Sequence, residues 1–391
     1  TVDIDYQLVE KSSSQFDLSG GIGGGYVIFQ AGISLTNFST QKFFDKKAWN
    51  PFPIGDGQKL SLRVQTNGDY YHAVSLSFTE PWLGGRKPNA LSVGVYYSYQ
   101  DDGFWNTTGT SEYYIGILGG SVSLATRLKW PDDYFTFVHG LAYQQYNVKN
   151  YTTLTAMPTG ISNNINYNFT LARNSVDQLI YPRQGSDISL AAQMTFPYSL
   201  VNGKDYSSLS PAERYKWLEY YKINFRAAWY FNLFDDLVVS TRARFGFLGQ
   251  YNSKVGYSPF ERFYVGGDGL TGYNLDGREL VALRGYDESS LSPDGGGMVF
   301  DKYTMELRYP ITLNEGASVY ALAFFEAGNS WANFQSFEPF KMYRSLGVGL
   351  RIHMPMFGLL GVDWGYGLDA IPGDPTASGS HFHISINNSI D

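Results

Sequence analysis

The chain of 391 residues contains no cysteine. That excludes disulfides, thiol catalysis and cysteine-ligated metals. Charged residues are scarce, at 17%, against roughly 25% in an ordinary soluble protein. No apolar run approaches the roughly 20 residues that a membrane helix requires; the longest candidate, residues 354–362, is short and carries Pro355. Histidine is limited to 5 residues, and no Ser-His-Asp set has supporting context. The net charge of −7 argues against a general nucleic-acid binder. Residues 1–11 lack a basic start followed by an apolar block, so no signal peptide is read there and the chain is taken as mature or as a fragment.

What is present is aromatic and glycine-rich: 31 Tyr, 27 Phe and 43 Gly. The dominant pattern is alternation with period two, the mark of a strand with two unlike faces. Over 59–67, Lys59, Ser61, Arg63, Gln65 and Asn67 alternate with Leu60, Leu62, Val64 and Thr66. Leu91, Val93, Val95, Tyr97 and Tyr99 oppose Ser92, Gly94, Tyr96 and Ser98. Over 220–232, Ile223, Phe225, Trp229 and Phe231 oppose Lys222, Asn224 and Arg226, and over 237–247 Val239, Phe245 and Phe247 oppose Ser240, Arg242 and Arg244. Such runs are longer than the usual soluble strand of roughly 5–6 residues and match the roughly 9–11 that cross a bilayer at a tilt.

Sixteen strands are predicted, centred on 15–26, 27–39, 58–69, 70–80, 90–100, 113–128, 134–147, 165–174, 185–196, 219–232, 237–248, 301–309, 316–328, 341–353, 358–366 and 380–387. The expected fold is all-β, a 16-stranded antiparallel transmembrane β-barrel over 12–391; an even number suits a bacterial outer-membrane barrel. Short connections such as 80–85, 181–185 and 232–236 are expected on the periplasmic side. Long ones (40–57, 101–112, 148–164, 197–218 and above all 249–300) are expected outside. The alternative is a large soluble β-sandwich or propeller.

The 249–300 segment is too long to be an idle connection, and it contains Arg284-Gly285-Tyr286. That tripeptide resembles the Arg-Gly-aromatic motif of the BamA family of outer-membrane insertases. The likeness covers essentially the whole chain. Thr79-Glu80-Pro81-Trp82, Tyr181-Pro182-Arg183-Gln184-Gly185 and Phe325-Glu326-Ala327-Gly328-Asn329-Ser330-Trp331 match further turns and strand ends in order, and residues 266–273 look like the version of the Bacteroidetes branch. The resemblance implies that the long loop folds into the lumen and that Arg284 meets wall acids at Glu306 and Glu326. The alternation independently turns both inward, because Met305 and Leu307, and Ala323 and Phe325, take the lipid face. The family's usual acid at the second position is Asp, so Glu326 departs from it by one methylene.

The joint between first and last strands is the second candidate. Gly20, Gly21, Gly23, Gly24 and Gly25 leave the first strand few side chains to pack. The last strand is short, with Phe382, Ile384 and Ile386 on one face and His381, His383 and Ser385 on the other. In the resembled family this joint is the lateral gate, whose opened edge templates a client strand. Residues 1–11 alternate as one amphipathic strand and look like the remnant of the last periplasmic POTRA domain. His381, His383 and Asp363 offer a metal or hydrolase site, but solvated lumen residues are the far better reading; Asp268, Asn274 and Asp276 offer a calcium site, which a plain turn explains equally well.

The expected function is therefore the folding and insertion of barrel proteins into the outer membrane, without enzymatic chemistry, cofactor or metal. The expected partners are outer-membrane lipids, unfolded β-barrel clients, accessory lipoproteins and periplasmic chaperones, with the N-terminus periplasmic. A related POTRA-barrel transporter of a soluble partner, a porin-like channel and an outer-membrane hydrolase are the alternatives.

Overall fold

The computed structural model describes residues 14–23, 26–49, 51–68, 70–101, 112–151, 154, 156–269, 277–314, 316–354 and 358–386. The expected POTRA remnant at 1–11, and Gly24 and Gly25 of the joint, lie outside these. The described chain is built of strands: β1 (Ser14–Gly23), β2 (Tyr26–Phe38), β3 (Gln58–Thr66), β4 (Tyr71–Glu80), β5 (Asn89–Asp101), β6 (Tyr114–Arg127), β7 (Phe135–Lys149), β8 (Gly160–Asn174) and β9 (Gly185–Thr195). The second half adds β10 (Tyr221–Phe234), β11 (Leu237–Gly249), β12 (Phe263–Val265), β13 (Glu279–Val281), β14 (Val299–Leu313), β15 (Ser318–Trp331), β16 (Tyr343–Met354), β17 (Gly358–Gly367) and β18 (Ser380–Ile386). Among the described residues no helix is long and apolar enough to cross a membrane.

One antiparallel sheet takes every strand except β12 and β13, in strict chain order from β1 to β18. Its two faces follow the period-two pattern. Val93, Val95 and Tyr97 of β5 are exposed on the outward face, while Gln100, on the other face, is buried. On β14, Met305, Leu307 and Tyr309 are exposed, and Thr304, Glu306 and Arg308, which alternate with them, are buried. A face of exposed aliphatic and aromatic side chains along the sheet is the signature of a lipid-directed surface.

The hydrophobic core lies between the sheet and the segment that joins β11 to β14. It unites Phe263, Val265, Val281 and Leu283 with Ile115 and Ile117 of β6 and Tyr146 and Val148 of β7. Tyr146 and Phe260 stack with ring centroids 4.0 Å apart. The same segment reaches β8 through Glu261 and Asn164 (3.5 Å), β10 through Glu261 and Lys222 (3.3 Å), and β18 through Gly285 and His383 (2.9 Å). A sheet whose β6 and β18 both touch one segment is curled around it.

Two expectations need correction. The segment read as loop over 249–300 contains β12 and β13, a short parallel pair with Tyr264 opposite Leu280. The second concerns sidedness. Strands that reverse at every step put successive connections at opposite ends of the sheet. Residues 39–57, between β2 and β3, therefore share an end with the short connections between β4 and β5, β6 and β7, and β10 and β11. Length had grouped 40–57 with the long loops; the order of reversals, which length does not control, places it at the short-turn end.

Candidate functional site: a clamp between the long loop and the wall

The loop is first folded against itself. Gly266 N donates to Val281 O (3.0 Å) and Leu283 N to Gly267 O (3.0 Å), so β13 and the residues after it run alongside β12. This delivers Arg284 to the inner wall. Its side chain is fully buried. Nη2 meets Glu306 Oε1 at 3.0 Å and Glu326 Oε1 at 2.8 Å, and Nη1 lies 3.4 Å from Asp363 Oδ2. The guanidinium stacks on the Phe324 ring, Cζ 3.5 Å from the centroid, a contact suited to its planar, weakly hydrated cation.

The structure thus brings together Arg284, Glu306 and Glu326. The extra methylene of Glu326 is accommodated: Oε2 accepts from the Arg284 backbone N (2.9 Å) while Oε1 takes the guanidinium. One carboxylate holds both backbone and side chain of the same residue. Burial opposes the charge on Arg284, but the carboxylates of Glu326, Glu306 and Asp363 outweigh it and raise its proton affinity above the ordinary arginine value.

Gly285 follows at φ +86°, a conformation that favours glycine. A Cβ there would lie 2.6 Å from Gly367 N and 2.8 Å from Tyr366 C, so the backbone approach itself demands glycine. Its N–H donates to His383 Nε2 at 2.9 Å, tying the loop to β18. The Tyr286 hydroxyl donates to Arg344 O (2.6 Å) on β16, and burial pushes its phenol up to about 12. Beyond it, Asp287 N donates to Ala377 O (2.8 Å) in the connection between β17 and β18.

Sequence reasoning missed much of the surrounding shell. Arg242 of β11 and Arg308 of β14 both reach Glu306 at 2.6 Å. Lys302 Nζ lies 3.0 Å from Glu326, and Arg351 grips Asp363 through two contacts of 2.7 and 2.9 Å. Four buried cations (Arg284, Lys302, Arg308, Arg351) and the half-buried Arg242 face three buried carboxylates (Glu306, Glu326, Asp363). Period two placed Arg242, Glu306 and Glu326 on the inner face; which charges meet depends on register across strands. Asp363 and His383, two of the three residues of the alternative metal or hydrolase site, are engaged by Arg351 and by the Gly285 N–H. Asp268 approaches β18, with Oδ2 3.4 Å from Ile384 N; Asn274 and Asp276 lie outside the described residues.

Of the joint residues, Gly20, Gly21 and Gly23 lie on β1 opposite Phe29, Ile28 and Tyr26 of β2. Phe382 and Ile384 project outward from β18, Phe382 being 77% exposed. Ile386 closes that strand opposite Leu360. β18 has 7 residues, while β14 has 15. Away from the clamp, a cavity of about 370 Å³ is bordered by Arg63, Gln65, Tyr96, Gln144 and Gly277.

Residues 54–389 match the Omp85 superfamily domain. The chain is 22% identical over 325 residues to the outer membrane protein assembly factor BamA of Neisseria meningitidis serogroup B, covering 79% of this chain and 34% of that protein. It therefore spans about a third of that relative's length. Among solved structures, BamA from Haemophilus ducreyi lacking POTRA domains 1–3 superposes with a TM-score of 0.65 at 18% identity, over 96% of this chain and 70% of that one. CdiB from Escherichia coli gives 0.57 at 12% identity, over 97% and 63%. CdiB from Acinetobacter baumannii gives 0.52 at 14%, over 96% and 60%. These likenesses show a shared fold.

Proposed function

The chain belongs to the Omp85 superfamily, and from that premise we propose that it is the membrane barrel of an outer-membrane assembly factor that folds and inserts other β-barrel proteins. The sixteen-stranded sheet closes into a barrel whose first and last strands meet at a lateral gate. The N-terminal end of β1 faces the periplasm. The supporting observation is the docking of Arg284 against Glu306 and Glu326, together with the BamA relative matched over 79% of the chain.

The chemistry is non-covalent and needs no cofactor. A closed sheet has no free hydrogen-bonding edge; opening one joint creates two. The joint of β1 and β18 is the natural place to open. Glycines leave β1 little side-chain packing, and β18 is short. An opened edge templates an incoming strand by backbone pairing. The loop, clamped to β14, β15 and β17 and tied to β18, braces the wall beside the gate while the joint parts. Unfolded barrel precursors, accessory lipoproteins, periplasmic chaperones and membrane lipids are the partners this activity requires.

A second reading is favoured by the CdiB structures: a POTRA-barrel transporter that passes one soluble partner through the lumen. Depletion of the full-length protein in its host, followed by quantitation of the other outer-membrane barrels, separates the two. A broad fall with precursors accumulating in the periplasm is expected. Normal barrel levels with loss of a single secreted protein would replace the assembly reading with the transporter.

A further inference from the structure

Residues 39–57 are the long connection at the otherwise short-turn end, and their surface is unusual. Phe43, Phe44, Trp49 and Ile54 are exposed there, Phe44 at 92%. The rings are clustered: Phe43 packs edge-on to Phe44 at 5.3 Å and against Trp49 at 5.5 Å, and Phe43 leans on the buried Phe38 at the end of β2 at 6.5 Å. Solvated loops in water do not gather aromatic rings at their tips without a partner.

The connection is also built to hold its shape. Ser39 N donates to Pro53 O (3.0 Å), Thr40 N to Gln58 Oε1 (2.8 Å) and Gly55 N to Asn37 O (2.9 Å). Asp45 caps a single 3-10 turn, Lys46–Ala48, by accepting from Lys47 N at 3.0 Å. Trp49 Nε1 donates to Phe43 O (3.0 Å), fixing the indole beside the other rings. Around the rings stand Lys42, Lys46 and Lys47, all exposed.

An aromatic tip with a basic collar fits one kind of surface: a bilayer interface with anionic headgroups, where rings sit at the acyl boundary and ammonium groups above it. The position agrees. Trp82, Trp130 and Phe234, in or beside the neighbouring short connections of the same end, are exposed too, which gives that rim the aromatic girdle of a membrane barrel. The outward faces of β2 and β3 continue it, with Phe29, Leu62 and Val64 exposed.

We propose that residues 39–57 form a membrane-anchoring finger, which inserts Phe43, Phe44 and Trp49 into the phospholipid leaflet at the short-turn end. Lys42, Lys46 and Lys47 hold anionic headgroups there, beside the first three strands. The inference rests on the membrane reading of the outward face and is independent of the assembly activity.

The absence of cysteine makes the test clean, since Phe44→Cys introduces a unique thiol. The full-length variant carries a nitroxide at that thiol and is reconstituted in mixed phosphatidylethanolamine–phosphatidylglycerol vesicles and, separately, in phosphatidylcholine vesicles. Collision with oxygen and with a water-soluble nickel chelate reports its depth, against a Lys204→Cys control in an exposed connection at the opposite end. Heat-modifiable migration verifies that each variant is folded. The expected result is an oxygen-accessible, nickel-shielded label at 44 and a nickel-accessible one at 204. Replacing both Lys46 and Lys47 by Gln is expected to weaken insertion into the anionic vesicles by about an order of magnitude. A label at 44 as open to nickel as that at 204 overturns the proposal. So does shielding that arises only after a soluble protein is added, which would make the finger a protein-docking element. Insertion with no dependence on the lysines or the anionic lipid overturns the headgroup part.

Discussion

The two walls of the curled sheet solve the same problem in opposite ways. On the wall formed by β2 to β7, inward polar groups are mostly neutral and satisfy one another: Ser34 with Ser61 (3.0 Å), Gln65 with Gln30 (2.6 Å), Gln144 with Tyr96 (2.6 Å). That wall borders the 370 Å³ cavity. On the wall formed by β11 to β17, the clamp is built of charged groups paired with the loop or with one another. Neutral hydrogen bonds exchange with water at little net cost, roughly 0.5–1.5 kcal/mol each. Buried charges do not, because an unpaired one is far more costly. The first wall is therefore adaptable and the second commits the loop to one position. β18 at the joint is tied to the committed side through His383.

Breaking the charged wall should have the largest effect. Arg284→Ala leaves Glu306, Glu326 and Asp363 facing each other without their shared cation, and should destabilise the barrel by about 3–5 kcal/mol; the temperature at which heat-modifiable migration is lost should fall clearly. Arg284→Lys restores charge without the fork, so it should recover only part of that loss. Both changes should spare the neutral wall, where Gln144→Ala should stay within about 1.5 kcal/mol of wild type.

Gly285→Ala tests whether backbone approach matters as much as charge. The strained φ and the collision with Gly367 should cost about 1–3 kcal/mol and release the loop; faster protease cleavage within 249–298, with the sheet intact, is the expected readout. Tyr286→Phe removes one hydrogen bond, worth about 1 kcal/mol. It also predicts a pH dependence. The folded phenol is raised from 10.0 to about 12, so its contribution is complete below pH 10 and is lost as pH rises through 12. Wild type should lose stability across that window, and Tyr286→Phe should lose less. The smallest effect belongs to the finger: Phe44→Ser should leave barrel stability within about 0.5 kcal/mol, as for an exposed site, whatever it does to lipid contact.

The strands were legible because an apolar outward face and a polar inward face impose period two residue by residue. Lys222, Arg242 and Glu306 could be assigned an inner face from their neighbours alone. Their partners could not. Arg242 meets Glu306 because β11 pairs with β14 with Ser240 opposite Glu306, and nothing local in either strand sets that register. Arg351 and Asp363 likewise meet across the ladder of β16 and β17. Arg284 was found through its motif; its support by Phe324 and the closeness of Gly285 to Gly367 are properties of the folded loop.

The finger carries the same lesson. Its aromatic and basic residues stand openly in the chain, yet loop length alone sent them to the wrong end. Counting reversals in the sheet corrects the error, because antiparallel pairing makes the side of a connection depend on how many strands precede it. Which face a residue takes is a local matter of solvent and period, and the sequence by itself determined it. Which charges meet, which backbone must be glycine and which end a connection occupies depend on pairing between distant segments, and only the tertiary structure decided them.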